Sequence, residues 1–206
     1  MTETPPPSSS SPRALGTVPT WRVIVTIWNE RNRPPDVPLL AMAFDIAQCQ
    51  WQIQHWALTQ LAAGHHDALE LLARSDDFPV QSALALAARQ AEVDREFARM
   101  LPGSAQAPPI DVAPGELLAR MAKAWVEVAL AIESARQRTE SGELPAGIPI
   151  HVPAIAELEK RCDEYEEMLN SLLAGRRRLR LPGEPRTSPP ADENSSSTEE
   201  FGSSNE

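Results

Sequence analysis

Cysteine is scarce in this chain, tyrosine is scarcer, and no stretch stays apolar for long. The two cysteines, Cys49 and Cys162, both fall inside apolar helical patterns and form no CxxC pair. That excludes a thiolate metal cluster or a disulfide framework and points to a reducing compartment. No secretory leader pattern opens the sequence. No apolar run approaches the roughly 20 residues that span a bilayer, so the expectation is a soluble, cytoplasmic protein with no membrane partner. There is no Gly-rich phosphate loop, no Ser elbow and no HExxH, which leaves no familiar catalytic frame and no expected cofactor or metal. A non-enzymatic protein is expected.

What the chain does have is uneven charge. Its net charge is −10. Residues 21–175 carry 13 basic and 22 acidic side chains, net −9, while residues 176–206 carry 5 basic and 6 acidic, net −1. An acidic middle argues against a broad phosphate-binding face; nucleic acid would have to meet a local patch or several copies of one. The last segment is polarised: its basic residues lie between Arg176 and Arg186, and every charge beyond Arg186 is acidic. Both ends, residues 1–19 and the tail after the arginines, are rich in Pro and Ser and too poor in apolar residues to offset ordering entropy. They are expected to be disordered.

Between the ends the period is helical. Trp21, Ile24, Val25 and Trp28 share a face of WRVIVTIWNERN, with Pro34-Pro35 as the expected stop. The β-branched run Val23–Ile27 suits a strand by propensity alone, but two Trp seven apart favour a helix. A long helix is expected from Pro38 to Ala63, with the stripe Leu40, Phe44, Ala47, Trp51, Gln54, Leu58 and Leu61, a heptad-like seam with one polar member. Residues 64–78 read as a loop with a short helix. The next helix opens at Phe78-Pro79 and carries Leu86, Val93, Phe97 and Met100 on one face.

After a linker at 104–113, Leu118, Met121, Trp125, Val128, Ile132 and Ala135 repeat at three and four. Ile155, Leu158, Cys162, Tyr165, Leu169 and Leu172 do the same in the last helix. These two are expected to form an antiparallel, coiled-coil-like hairpin over 114–175. The fold class is all-α: a helical domain at 20–103 followed by the hairpin. Segments 37–64 and 152–175 share Val-Pro starts and Ala-Gly stops, which a duplication or ordinary helix capping would each produce.

Trp51 and Trp56 are five apart, about 500° around a helix at roughly 100° per residue, so they face different ways. At least one of them should leave the intrahelical seam and touch a neighbouring helix or another subunit. Gln54 suits a register-setting contact between copies or a partly exposed position. The candidate oligomerisation set is Trp51, Gln54, Leu118, Trp125, Ile132, Leu158, Tyr165 and Leu169. For metal chemistry the one pattern is His65-His66-Asp67 with distant His55 and Asp94, and a polar loop in which Asp67 caps a helix is the stronger reading. Glu140 and Glu143 with Asp163 and Glu166 imitate the paired carboxylates of helical nucleotide hydrolases, but Gly142 breaks the first pair out of a helix.

A first helix with Trp21 and Trp28, Asp36 before a long helix, Gly64 after it, and a Phe78-Pro79 helix closing at Met100-Leu101-Pro102-Gly103 resembles the bacteriophage terminase small subunit over about residues 20–103. Phe78-Pro79 stands where the family has an Asn-Pro-like start, MLPGSAQAPP lacks a Thr-Pro-Ser-Arg ending, and 114–175 lies outside the pattern. The resemblance implies a non-enzymatic DNA-packaging component that forms a homo-oligomeric ring. It would bind double-stranded viral DNA in the host cytoplasm and regulate the large ATPase and nuclease subunit. The alternative is a helical scaffold, chaperone or adaptor with no DNA role.

Arg176, Arg177, Arg178 and Arg180 follow the last helix directly. Cations complement a helix C-terminus by about 0.3–1 kcal/mol each, and four in five residues exceed that need. They are the candidate DNA- or partner-binding residues, on a basic arm spanning the start of 176–206.

Overall fold

The computed structural model describes residues 18–34, 36–62, 78–101, 106–142, 152–180 and 184. The short helix expected in 64–77, the loop at 143–151 and most of both Pro/Ser-rich ends lie outside the described residues. Five helices are present: α1 (Trp21–Glu30), α2 (Pro38–Ala62), α3 (Phe78–Met100), α4 (Pro114–Glu140) and α5 (Val152–Leu173). Among the described residues there is no strand, and the single β-bridge joins Pro109 to Arg178. The class is all-α.

The β-branched run Val23–Ile27 is helical, and Ile24 and Trp28 are its buried members. This helix does not run on to the proline pair. It stops at Glu30 because Arg31 turns left-handed, φ 52°, and its N–H donates to the Trp28 carbonyl at 3.3 Å. A left-handed residue other than glycine is uncommon, so composition gave no sign of it.

Helix α2 packs on α3, α4 packs on both, α5 covers α4, and α1 lies on α2 and touches α5. One buried cluster unites them: Ile24 and Trp28, Leu39 to Ala47, Val93, Phe97, Leu117 to Ala122, and Cys162 to Leu172 on their inward faces. The segments either side of 104–113 therefore share a core. Two buried polar tips tie it together. Trp28 Nε1 donates to the Ala43 carbonyl at 3.0 Å, and the Tyr165 hydroxyl donates to the Pro19 carbonyl at 3.0 Å.

The stripes along α2, α4 and α5 are not buried from end to end. In α4 burial is confined to Pro114 through Val126, and Ile132 further along the same stripe is 46% exposed. In α5 the buried residues begin at Cys162, leaving Ile155 exposed and Leu158 half-buried. In α2 Leu40, Phe44 and Ala47 are buried while Leu58 is 48% exposed.

Helix α4 begins in an unusual way. Its N-cap position is Ala113, which has no capping side chain, and the missing acceptor comes from another helix: Asp94 Oδ1 in α3 accepts the Gly115 N–H at 2.7 Å. Burial pushes the Asp94 carboxyl above its ordinary range, against the lowering effect of that hydrogen bond. Glycine is required at 115, since a Cβ there would sit 2.3 Å from the Gln90 carbonyl oxygen.

Candidate functional site

The arginine run is fastened rather than free. Gly175 adopts φ 66°, its N–H donates to the Leu172 carbonyl, and the Arg176 N–H reaches back to Ser171. This is the two-bond left-handed cap that ends many helices. The chain then runs along 108–110: the Arg178 N–H donates to the Pro108 carbonyl at 3.0 Å, and the Ile110 N–H donates to the Arg178 carbonyl at 2.8 Å. Arg177 Nη1 donates to the Pro109 carbonyl, and Arg180 Nη2 reaches the Ile110 carbonyl at 3.5 Å.

The four cations are not equivalent. Arg178 forms a two-pronged ion pair with Glu184, at 2.9 and 2.5 Å, with its side chain only 15% exposed. That charge is neutralised within the chain. Arg176 and Arg177 are exposed and Arg180 is half-buried. Arg177 also borders a shallow depression lined by Arg120, Asp111, Glu164 and Glu167, so its surroundings are mixed in sign. The four candidate binding arginines thus form an anchored strap in which Arg176 and Arg177 are exposed, Arg178 is paired with Glu184 and Arg180 reaches the Ile110 carbonyl.

Three of the candidate oligomerisation residues, Leu118, Tyr165 and Leu169, are enclosed in the chain's own core, so they are not presented to a second copy. Gln54 donates from Nε2 to the Lys123 carbonyl at 3.2 Å, setting the fit of α2 against α4 within one chain. Ile132 and Leu158 keep exposed or half-exposed surface.

Trp51 and Trp125 belong to a feature that periodicity did not reveal. Trp28, Trp51 and Trp125 converge from α1, α2 and α4, with ring centroids 5.7 Å apart for Trp28 and Trp125 and 6.4 Å for Trp51 and Trp125. With Phe44, Ala47 and Arg31 they line a cavity of about 180 Å³. The Arg31 guanidinium lies over the Trp51 ring at 5.2 Å, a cation–π contact. His55, four residues further along α2, stacks on Trp51 with ring centroids 6.5 Å apart. Trp125 Nε1 donates to Asn29 Oδ1 at 2.9 Å, which fixes its ring. From this cavity a wider groove of about 750 Å³ continues between α2 and α4, past His55, Leu58 and Ile132.

No metal centre is assembled among the described residues, where no three His, Cys, Asp or Glu side chains gather in a binding arrangement. His65, His66, Asp67 and Glu143 lie outside the described residues. Glu140 pairs with Arg136 at 3.1 Å, and Glu166 accepts the Trp21 indole N–H at 2.8 Å. Burial pushes the Cys162 thiol up to about 11 and raises that of Cys49 as well. Neither thiol is activated as a nucleophile would be. Among the described residues no helix is long and apolar enough to cross a membrane. No family model, curated protein or solved structure matches the chain.

Proposed function

We propose that this chain is a non-enzymatic assembly protein of the terminase small subunit kind, which oligomerises, binds viral duplex DNA and regulates the large ATPase and nuclease subunit. The observation that carries the reading is the anchored strap. Arg176 and Arg177 are held at the end of α5 by backbone hydrogen bonds, so a ring of copies would present a fixed rim of cations to phosphate. Ile155 and Leu158 on α5 and Leu84 on α3, exposed by 67%, offer apolar surface to a second copy, and a coiled-coil-like α4–α5 hairpin would extend that contact. The test is mass by light scattering, alone and with duplex DNA at two salt concentrations. A closed assembly of many subunits that binds DNA only at low salt is expected, and a monomer indifferent to DNA overturns the reading.

A second reading, a helical adaptor without a DNA role, is favoured by the Trp-lined cavity. Such cavities, mostly aromatic with a few polar groups at the mouth, suit a side chain or small ligand.

A further inference from the structure

Trp28, Trp51 and Trp125, with Phe44 and Ala47, give the cavity its apolar lining. Two of the three indoles have already committed their N–H groups, that of Trp28 to the Ala43 carbonyl and that of Trp125 to Asn29 Oδ1. Those rings are held in place before anything binds, which lowers the ordering cost of a guest. The polar lining differs in kind. Gln48 and Gln52 are exposed residues of α2, and Gln52 accepts from the Ser82 hydroxyl at 3.3 Å. The Gln48 amide has no hydrogen-bond partner among the described residues, and it can both donate and accept.

The cavity calls for no charged guest. The Arg31 guanidinium rests on the Trp51 ring at 5.2 Å and acts on Glu133, whose carboxyl is held below its ordinary range by Arg136, then Gln137, and also by Arg31. An anion would have to compete with that carboxylate. A quaternary ammonium, a usual guest of aromatic cages, would meet the guanidinium already stacked there. An uncharged guest avoids both costs. Volume sets its size. A space of roughly 150 Å³ takes one benzene ring, and this one measures about 180 Å³, so the guest is a single ring whose polar substituent emerges beside Gln48.

We infer that the cavity binds a small, uncharged molecule built on one planar aromatic ring with an amide-like group at its edge. The ring lies among Trp28, Trp51 and Trp125 in the offset or edge-on contacts that aromatic pairs favour. The substituent exchanges hydrogen bonds with Gln48, acceptor against donor and donor against acceptor. The inference deepens the second reading above, resting on its cavity but not on the absence of DNA binding.

The experiment follows the tryptophan indole N–H signals of the full chain by NMR as benzamide is added, with the Trp51 signal identified by its loss in Trp51→Phe. That signal should move and saturate with a dissociation constant of order 1 mM, as a ligand of this size allows. Benzoate, which changes the charge, and cyclohexanecarboxamide, which removes the aromaticity, should each bind at least about tenfold more weakly. Gln48→Ala, at an exposed position, should weaken benzamide about fivefold. Ala47→Leu should abolish binding by filling the space, and if it does not fold, the Gln48→Ala comparison decides. A Trp51 signal unmoved by benzamide overturns the inference. Equal binding of cyclohexanecarboxamide makes the cavity a plain apolar void, tighter benzoate assigns it to an anion, and unchanged affinity in Gln48→Ala removes the amide contact; each overturns it. Duplex DNA added to a separate sample tests the adaptor reading on its own, since DNA binding overturns that reading and leaves the benzamide result standing.

Discussion

Gly115 decides how closely α3 and α4 approach, and its consequence is measurable. A methyl group there meets the backbone of Gln90 rather than a side chain that could swing away. Gly115→Ala is expected to cost about 2–3 kcal/mol, as overpacking between fixed elements does, seen as a lower urea midpoint. Cys162 makes a prediction of a different kind. Its thiol is held up to about 11 in the fold, against roughly 8.5 for a free cysteine. The raised folded value means that the stabilising contribution is intact below pH 8.5 and is lost as pH rises toward 11, because the unfolded chain ionises first. Native protein should therefore resist alkylation at pH 8, and unfolding experiments should show a stability loss of order 1–2 kcal/mol by pH 10 that is absent in Cys162→Ala. Sequence pattern placed Cys162 on an apolar face, but it gave no hint of Gly115, since a glycine after a helix-starting proline reads as ordinary.

At the scale of elements, the helices were legible because each carries an apolar stripe and most are punctuated by proline at the start. Pro38, Phe78-Pro79 and Pro114 all mark helix starts in the structure. The end of α1 was not legible, because it depends on a left-handed arginine whose side chain rests on Trp51 from another helix. Heptad spacing likewise identified the faces of α4 and α5 but not what covers them: it grouped Leu118 and Tyr165 with Ile132, although the first two are buried in the core and the last is exposed. A period specifies a direction around a helix, whereas burial depends on which neighbour is present at that height. The end of α5 yields a prediction. Gly175 holds φ 66° with open space around it, so Gly175→Ala is limited by backbone strain alone and should cost about 1 kcal/mol. Thermal unfolding checks the value, and Gly175→Asn should recover part of it, since Asn tolerates the left-handed region.

For the whole molecule, the arginine run separates into the exposed Arg176 and Arg177, the half-buried Arg180 and Arg178, whose charge is paired with Glu184. If duplex DNA is bound through the strap, replacing Arg176 and Arg177 together by Ala should reduce the slope of log affinity against log salt by about 2 for each bound subunit. Arg178→Ala should leave that slope unchanged and lower stability instead, because its charge is already paired with Glu184. Equal effects of all three on the slope would mean that the ion pair opens on binding. The sequence placed the run just after the last helix, which ends at Leu173. It did not show the capture, because Pro108 to Ile110 and Glu184 are recruited by tertiary contact from opposite sides of it.

The bridge between Pro109 and Arg178 also has a mechanical meaning. It closes α4 and α5 into a loop whose two ends are clasped together just outside the helices. Tension applied to the tail is met first by the Arg178–Glu184 pair and the backbone hydrogen bonds to Pro108 and Ile110, and only after these give way by the last turn of α5. A partner that pulls on the C-terminal segment would thus tug the segment preceding α4 before it could peel α5 from the core.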